Sequence, residues 1–273
     1  TGLRSSPRGR KVENQSEVME VAMQAGHILL ENGAEISRVE ETIDRICRHY
    51  GVDCGEAFVL SNGIFATAGR IGEQYFAKVQ HIPVSGTHLN RVAAVNQLSR
   101  EIEEGKHTLA GARACLEDIR TMPGKTETMQ IMASAVGSAC FCLLFGGGPA
   151  EMAVSFAAGF LLYVYILHFS SRHLSRIMAN ITGAALVSVV CILAHHGMAY
   201  VGVGTEISHM IIGAVIPMVP GVAFTNGIRD IADGDYIAGS VRLLDALLVF
   251  VCIAMGVGLT FTLYSRITGG MLL

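Results

Sequence analysis

The stretch ISHMIIGAVIPMVPGVAFTNGIRD, Ile207 to Asp230, decides how this chain is read. Its first 22 residues, Ile207 to Ile228, carry no Asp, Glu, Lys or Arg. Crossing roughly 30 Å of hydrocarbon takes about 20 helical residues, so the stretch is long enough to span a membrane. Pro217 and Pro220 interrupt it. Proline has no amide donor and its ring clashes with the preceding turn, so two prolines three residues apart break or kink the helix. In lipid, irregular backbone survives only where protein or a water-filled cavity covers it. A broken apolar span ending in polar residues is therefore the sequence pointer to a transport site.

Four more stretches are free of those charges: Thr128 to Ala150, Met152 to Ser171, Ile177 to Thr205 and Ala246 to Ser265. Five in succession predict an α-helical polytopic membrane protein with five transmembrane helices. Charge separates this half from what precedes it. Residues 1–127 hold 32 of the 43 Asp, Glu, Lys and Arg residues, leaving 11 for the last 146. The expected organisation is a basic, disordered tail over 1–13, an α+β domain over 14–121, a linker over 122–127 and the membrane domain over 128–273. The tail has no apolar core, so no signal peptide is read there.

Lys and Arg in the short loops set the orientation. Arg113, Arg120 and Lys125 precede the first span, Arg172 and Arg176 follow the second, and Arg229 and Arg242 follow the fourth. The opposite loops, Gly146 to Glu151 and His195 to His209, contain neither residue type; only Arg266 dissents. The N-terminal domain is thus expected in the cytoplasm and the C-terminus outside. Small residues four apart (Ala133/Gly137, Ser134/Ser138, Ala135/Ala139 and Ala254/Gly258) predict close helix contacts.

In the first half, Val18, Val21, Ala22, Ala25, Ile28 and Leu29 recur at helical spacing. Ser37 to Glu40 fits a capping box opening a second helix. Strand-like runs follow at Glu56–Leu60, Ile64–Thr67 and Tyr75–Val84, with turn signals at Ser61–Gly63 and Gly69–Gly72. Helical patterns near Thr87–Glu104 and Thr108–Thr121 complete an ααβββαα order.

Several chemistries are excluded. A net charge of −3 with no basic run gives no footprint for nucleic acid. GKT at Gly124 to Thr126 has Ile119 where a P-loop needs glycine, and GKHT at Gly105 to Thr108 has Arg100 there. Seven cysteines form no CxxC pair, and His81 and His88 match no metal spacing. His195, His196 and His209 are expected near the outer interface. Asp230, Asp233 and Asp235 lack the EF-hand spacing and read as a solvated turn. No cofactor or metal is expected.

The candidate site is the broken span itself. Unwinding over Pro217, Pro220 and Gly221 exposes carbonyls for an ammonium group or cation, while amides opening the next half-helix favour a carboxylate. Arg229 suits bidentate carboxylate binding, Asn226 donates and accepts, and Asp230 closes the set. A plain kink followed by a cytoplasmic loop is the alternative. Asp245, at the start of the last apolar span and three residues after Arg242, is either a proton-coupling carboxylate or an acid favoured by the helix start.

These residues resemble the threonine/serine exporter family, in particular its split, YjjP-like members. PGVAFTNGIRDIADGDYIAGSVRLLDALLV (Pro220 to Val249) carries the resemblance, with GSACFCLLFGGG (Gly137 to Gly148) and GAEISRVEETIDR (Gly33 to Arg45). It implies a cytoplasmic N-terminal domain before five spans, and export of small metabolites: threonine and serine, or dicarboxylates such as succinate. Fused carriers of the family join two five-helix halves. One set is present here, so the resemblance implies a separate small membrane protein supplying the second half, and an oligomeric assembly. Where the family has Glu in the fifth span, this chain has Asp245. The other classes in view are a non-transporting sensor or assembly subunit and a membrane-bound hydrolase. No nucleophile–base pattern supports the last.

Overall fold

A computed structural model describes residues 15–52, 54–68, 76–82, 87–170 and 175–268. The expected disordered tail, the turn at Gly69–Gly72 and Arg172 lie outside these residues. The chain forms two compact units. One comprises the chain up to Gly124 together with Val222–Leu243; the other comprises Lys125–Gly221 and Leu244–Leu273.

The first unit has the expected ααβββαα order. Helix α1 (Gln15–Glu31) and helix α2 (Ile36–His49) precede strands β1 (Cys54–Leu60), β2 (Gly63–Ala68) and β3 (Phe76–His81). Helices α3 (Leu89–Glu103) and α4 (Leu109–Thr121) follow. The strands form one antiparallel sheet in the order β1-β2-β3, with Phe58 opposite Phe65 and Phe65 opposite Val79. Helical spacing puts Val18, Val21, Ala22, Ala25, Ile28 and Leu29 into the core with Ile36, Ile43, Ile64, Ile102 and Leu116. Gly26 lets α1 and α2 close together, since a Cβ there would sit 2.8 Å from the Ile43 Cδ1 methyl.

The capping box is not formed. Glu35 is the N-cap of α2 and its side chain makes no cap hydrogen bond, while Ser37 already lies inside the helix. Glu40, assigned to the box, instead accepts a hydrogen bond from Val59 N at 3.0 Å. A tertiary partner has displaced the local one.

The same unit contains α9 (Gly221–Ala232) from Val222 onward and the opening turns of α10 (Tyr236–Ile267). They pack closely through two glycines. A Cβ on Gly239 would lie 2.7 Å from the Gly227 carbonyl oxygen and 2.6 Å from Ile231 Cγ1.

The second unit contains α5 (Glu127–Leu144), α6 (Pro149–Tyr165) with a π-helical turn at Ile166–Ser170, α7 (Arg176–Tyr200), α8 (Ile207–Val215) and the distal part of α10. Among the described residues of the whole chain, four helices are long and apolar enough to cross a membrane, and a fifth span is counted if the broken segments Ile207–Met218 and Gly221–Ala232 make one. The last span is longer than the charge-free run, because Tyr236 already opens the helix.

Small residues pack this unit, though not all those the spacing suggested. Ser134, Ala135, Ser138 and Ala139 are buried on α5, and Ser134 Oγ donates to the Gly159 carbonyl at 2.9 Å. Gly213 lies against Cys142 and the Ser138 carbonyl, at 2.6 and 2.7 Å from an imagined Cβ. Ala133/Gly137 and Ala254/Gly258 instead face outward. Both alanines are exposed, and a Cβ on either glycine meets nothing within 4 Å. On α10 the close contact is Gly256, whose Cβ would collide with the Ile181 carbonyl. The four-residue spacing found candidate faces, but not which of them an internal neighbour occupies.

Candidate functional site

The proline break has a simple backbone account. Helix α8 ends at Val215 and tightens into a 3₁₀ turn over Ile216–Met218. Pro217 cannot donate to the Gly213 carbonyl, and Pro220 cannot donate to that of Ile216. Val219 takes the second role, donating to Ile216 O at 3.0 Å, and then turns extended at φ −67° and ψ 122°. Gly221 N donates to Val219 O at 2.8 Å as the next helix begins. Pro217, Pro220 and Gly221 thus form the irregular segment that the sequence predicts.

Beside Pro217 lies a cavity of about 470 Å³ within the membrane unit. Ala133, Gly137 and Phe141 give it an apolar wall, and Lys125, Gln130 and Tyr163 supply its polar groups. Tyr163 OH donates to Gln130 Oε1 at 3.3 Å, and Gln130 Nε2 donates to the Lys125 carbonyl at 2.8 Å. Sequence reasoning missed Gln130 and Tyr163. Gln130 is an amide near the start of an apolar run, and that is the signal that could have found it; Tyr163 lies inside its run, close to Tyr165 and His168, and carries no comparable signal.

Asn226, Arg229 and Asp230 belong to the other unit, on α9, where they converge on the turn between α1 and α2. Asn226 Nδ2 donates to the Gly33 carbonyl at 2.9 Å. Arg229 Nη1 meets Glu35 Oε1 at 2.8 Å. Asp230 is buried, with 1% of its side chain exposed. Its Oδ1 accepts from Ile36 N at 3.1 Å and its Oδ2 from Arg242 Nη1 at 2.8 Å. Arg242 also donates to the Ala34 carbonyl at 2.8 Å. Because Glu35 makes no cap bond, Asp230 supplies the acceptor at the N-terminus of α2, where free amides and the helix dipole favour a carboxylate.

The outcome is a clamp. Gly33 adopts φ +82°, a conformation side chains disfavour, which turns the carbonyls of residues 33 and 34 toward Asn226 and Arg242. Asn226, expected to meet substrate, is directed at the Gly33 carbonyl and Asp230, also expected there, at Ile36 N and the Arg242 guanidinium, whereas the Arg229 side chain is 57% exposed. Sequence reasoning missed Glu35 and Arg242 as members. Glu35 meets Arg229 across 194 residues and Arg242 reaches the Ala34 carbonyl across 208, so no local pattern links α9 and α10 to this turn, although Asp230 is only 12 residues from Arg242.

Other candidates are placed as follows. Asp245 is exposed on α10. Asp233 and Asp235 lie in the turn closing α9, where Gly234 has φ +101° and Asp235 N donates to Asp230 O at 2.8 Å. His195 Nδ1 lies 2.9 Å from Thr205 Oγ1, His196 contacts the Tyr264 hydroxyl, and His209 is 3.7 Å from Glu206. Among the described residues no group of His, Cys, Asp or Glu could hold a metal ion. Near these histidines, Glu151 is almost fully buried at the start of α6 and accepts from Gly148 N and, at 2.8 Å, from Glu206 N. It ties two loops together. A lone carboxylate between the first two apolar spans was its only sequence signal.

His27 and Glu40, both in the first unit, titrate away from their ordinary values. Partial burial lowers the His27 pKa from its ordinary 6.5, and the Arg120 charge acts the same way against opposing effects of Glu31 and Gln80. Burial raises that of Glu40.

Apolar helices sufficient for four or five crossings, one of them broken at paired prolines, together with a compact α+β unit, define a polytopic membrane protein. Residues 20–264 match the threonine/serine exporter (ThrE) family, and the chain belongs to it. It is 22% identical over 246 residues to the "Threonine/serine exporter" of Corynebacterium glutamicum, covering 89% of this chain but 50% of that protein. The chain thus spans about half the length of that relative. It is 25% identical over 266 residues to the "Probable succinate transporter subunit YjjP" of Escherichia coli (strain K12), covering 93% of this chain and 98% of that protein. An uncharacterized protein of Schizosaccharomyces pombe is 24% identical over 202 residues, covering 71% of this chain and 24% of its own length. No solved structure matches the chain.

Proposed function

We propose that the protein is one subunit of a membrane exporter for small polar metabolites. Its substrates are threonine- or serine-like amino acids, or dicarboxylates such as succinate. The observation that carries this is the broken span: irregular backbone at Pro217–Gly221 needs a polar or protein-lined environment at membrane depth, the setting in which carriers bind substrate. The names of the two bacterial relatives supply the substrate classes. The N-terminal domain is assigned to the cytoplasm and the C-terminus to the outside, on the Lys and Arg distribution of the loops.

Arg229 is the residue assigned to the substrate carboxylate. It is the exposed member of the clamp, and a guanidinium can exchange the Glu35 carboxylate for a ligand's. Asn226 and Asp230 hold α9 in place for it. Asp245 is assigned to proton coupling. An ionisable group facing outward from an apolar span needs a polar neighbour, which a second membrane subunit would provide. The outward small-residue faces at Ala133/Gly137 and Ala254/Gly258 offer that subunit's helices close approach.

The test is reconstitution into liposomes of the chain alone and with a candidate partner, scoring efflux of labelled threonine and succinate. Efflux only from the paired preparation is expected. No efflux from any pairing that copurifies would refute the transporter assignment.

A further inference from the structure

Strand β3 is inverted relative to its neighbours. Antiparallel register sets Gln80 opposite Ile64 and Lys78 opposite Ala66, and Ile64 and Ala66 point into the core. Lys78 and Gln80 therefore occupy the core-facing side, while Val79, on the other face, is 67% exposed. A half-buried strand normally puts its apolar residues inward. A cation and an amide on the inner face need a polar environment, and one is present. A cavity of about 760 Å³ opens there between β3, α1 and α4, entirely within the first unit. That volume lies within the roughly 300–1,000 Å³ of small-molecule sites.

His27, Ile28, Lys78 and Gln80 line its inner part, with His27 Nδ1 2.7 Å from Gln80 Nε2. The rim is a set of satisfied pairs. Arg113 lies 3.4 Å from Glu20, Arg120 lies 3.7 Å from Glu117, and Gln24 donates to Glu117 at 3.2 Å. Two arginines thus balance two carboxylates. Lys78 has no ion-pair partner among the described residues, so the described lining carries one positive charge in excess.

We propose that this cavity binds a small organic acid or amino acid through its carboxylate, with Lys78 as the counter-ion and Gln80 as a donor. The rim acids Glu20 and Glu117 can receive an ammonium or hydroxyl group on the same ligand. The site does not involve the proline break, so it would report metabolite level to the protein and not carry the metabolite across.

The chain has no tryptophan, so Ala114→Trp on the exposed rim makes a local fluorophore. The full chain in detergent is titrated with succinate, threonine and inorganic phosphate. A saturable emission change with succinate or threonine is expected. It should weaken at least about tenfold in Lys78→Met and persist in Lys78→Arg, as loss of one charge-assisted contact implies. The His27 ring resonances, assigned by their loss in His27→Gln, give a second readout should the fluorophore block entry. No saturable response to either carboxylate, an unchanged affinity in Lys78→Met, or a response to phosphate alone would overturn the proposal. Efflux measurements address the transport reading separately.

Discussion

Asp230 and Arg229 are adjacent in sequence and opposite in environment. The Asp230 carboxylate is 1% exposed and the Arg242 side chain beside it 11%, so each is the other's compensation. Removing one partner of a buried pair strands the other charge at a cost of about 3–5 kcal/mol. Asp230→Ala and Arg242→Ala are therefore expected to lower the melting temperature strongly, whereas Arg229→Ala breaks an exposed pair worth about 0–1 kcal/mol and leaves it nearly unchanged. Thermal unfolding of the three variants checks the ordering. His27 sets a pH dependence. Its folded pKa is lowered, so below the ordinary 6.5 the unfolded chain binds more protons than the native one. The stabilisation is present above about pH 6.5 and is lost as pH falls toward the folded value. Glu40, raised by burial, acts in the opposite sense at lower pH. Between pH 7.5 and 5.5, wild type should lose more stability than His27→Gln; equal losses would contradict the assignment.

Among the elements, the break between α8 and α9 and the contact between α9 and α10 carry the argument. Restoring donors with the double substitution Pro217→Ala and Pro220→Ala lets the Gly213 and Ile216 carbonyls be satisfied in regular helix. Amides from residue 216 to 221 should then exchange more slowly with deuterium, and efflux should fall. Gly239→Ala pushes a methyl to within 2.7 Å of the Gly227 carbonyl. It should separate α9 from α10 and destabilise the protein about as much as loss of Asp230, measured by the same unfolding transition. The elements themselves were largely legible. Charge-free runs of membrane length correspond to the four long apolar helices and to the broken pair, and Pro217 with Pro220 marked the break. The clamp was not, because Asp230 reaches Ile36 across 194 residues. A local capping pattern at Ser37–Glu40 also pointed to the wrong partner. The inward Lys78 and Gln80 were visible as letters, but only strand register showed which face they take.

For the whole molecule, this family member spans half of one relative and nearly all of another. Two small-residue faces belong to that picture: a Cβ on Gly137 or Gly258 meets nothing within 4 Å among the described residues. Gly137→Leu and Gly258→Leu are expected to leave folding intact while abolishing copurification with a second membrane subunit. Unchanged pairing would remove those faces from the interface. The transport reading itself rests on the broken span and on Arg229 beyond it, and one experiment reaches both. Cells lacking the gene are preloaded with labelled threonine or succinate and complemented with wild type or Arg229→Ala at matched membrane levels. The account predicts that wild type restores efflux of one of the two and Arg229→Ala does not; equal efflux from both would contradict it.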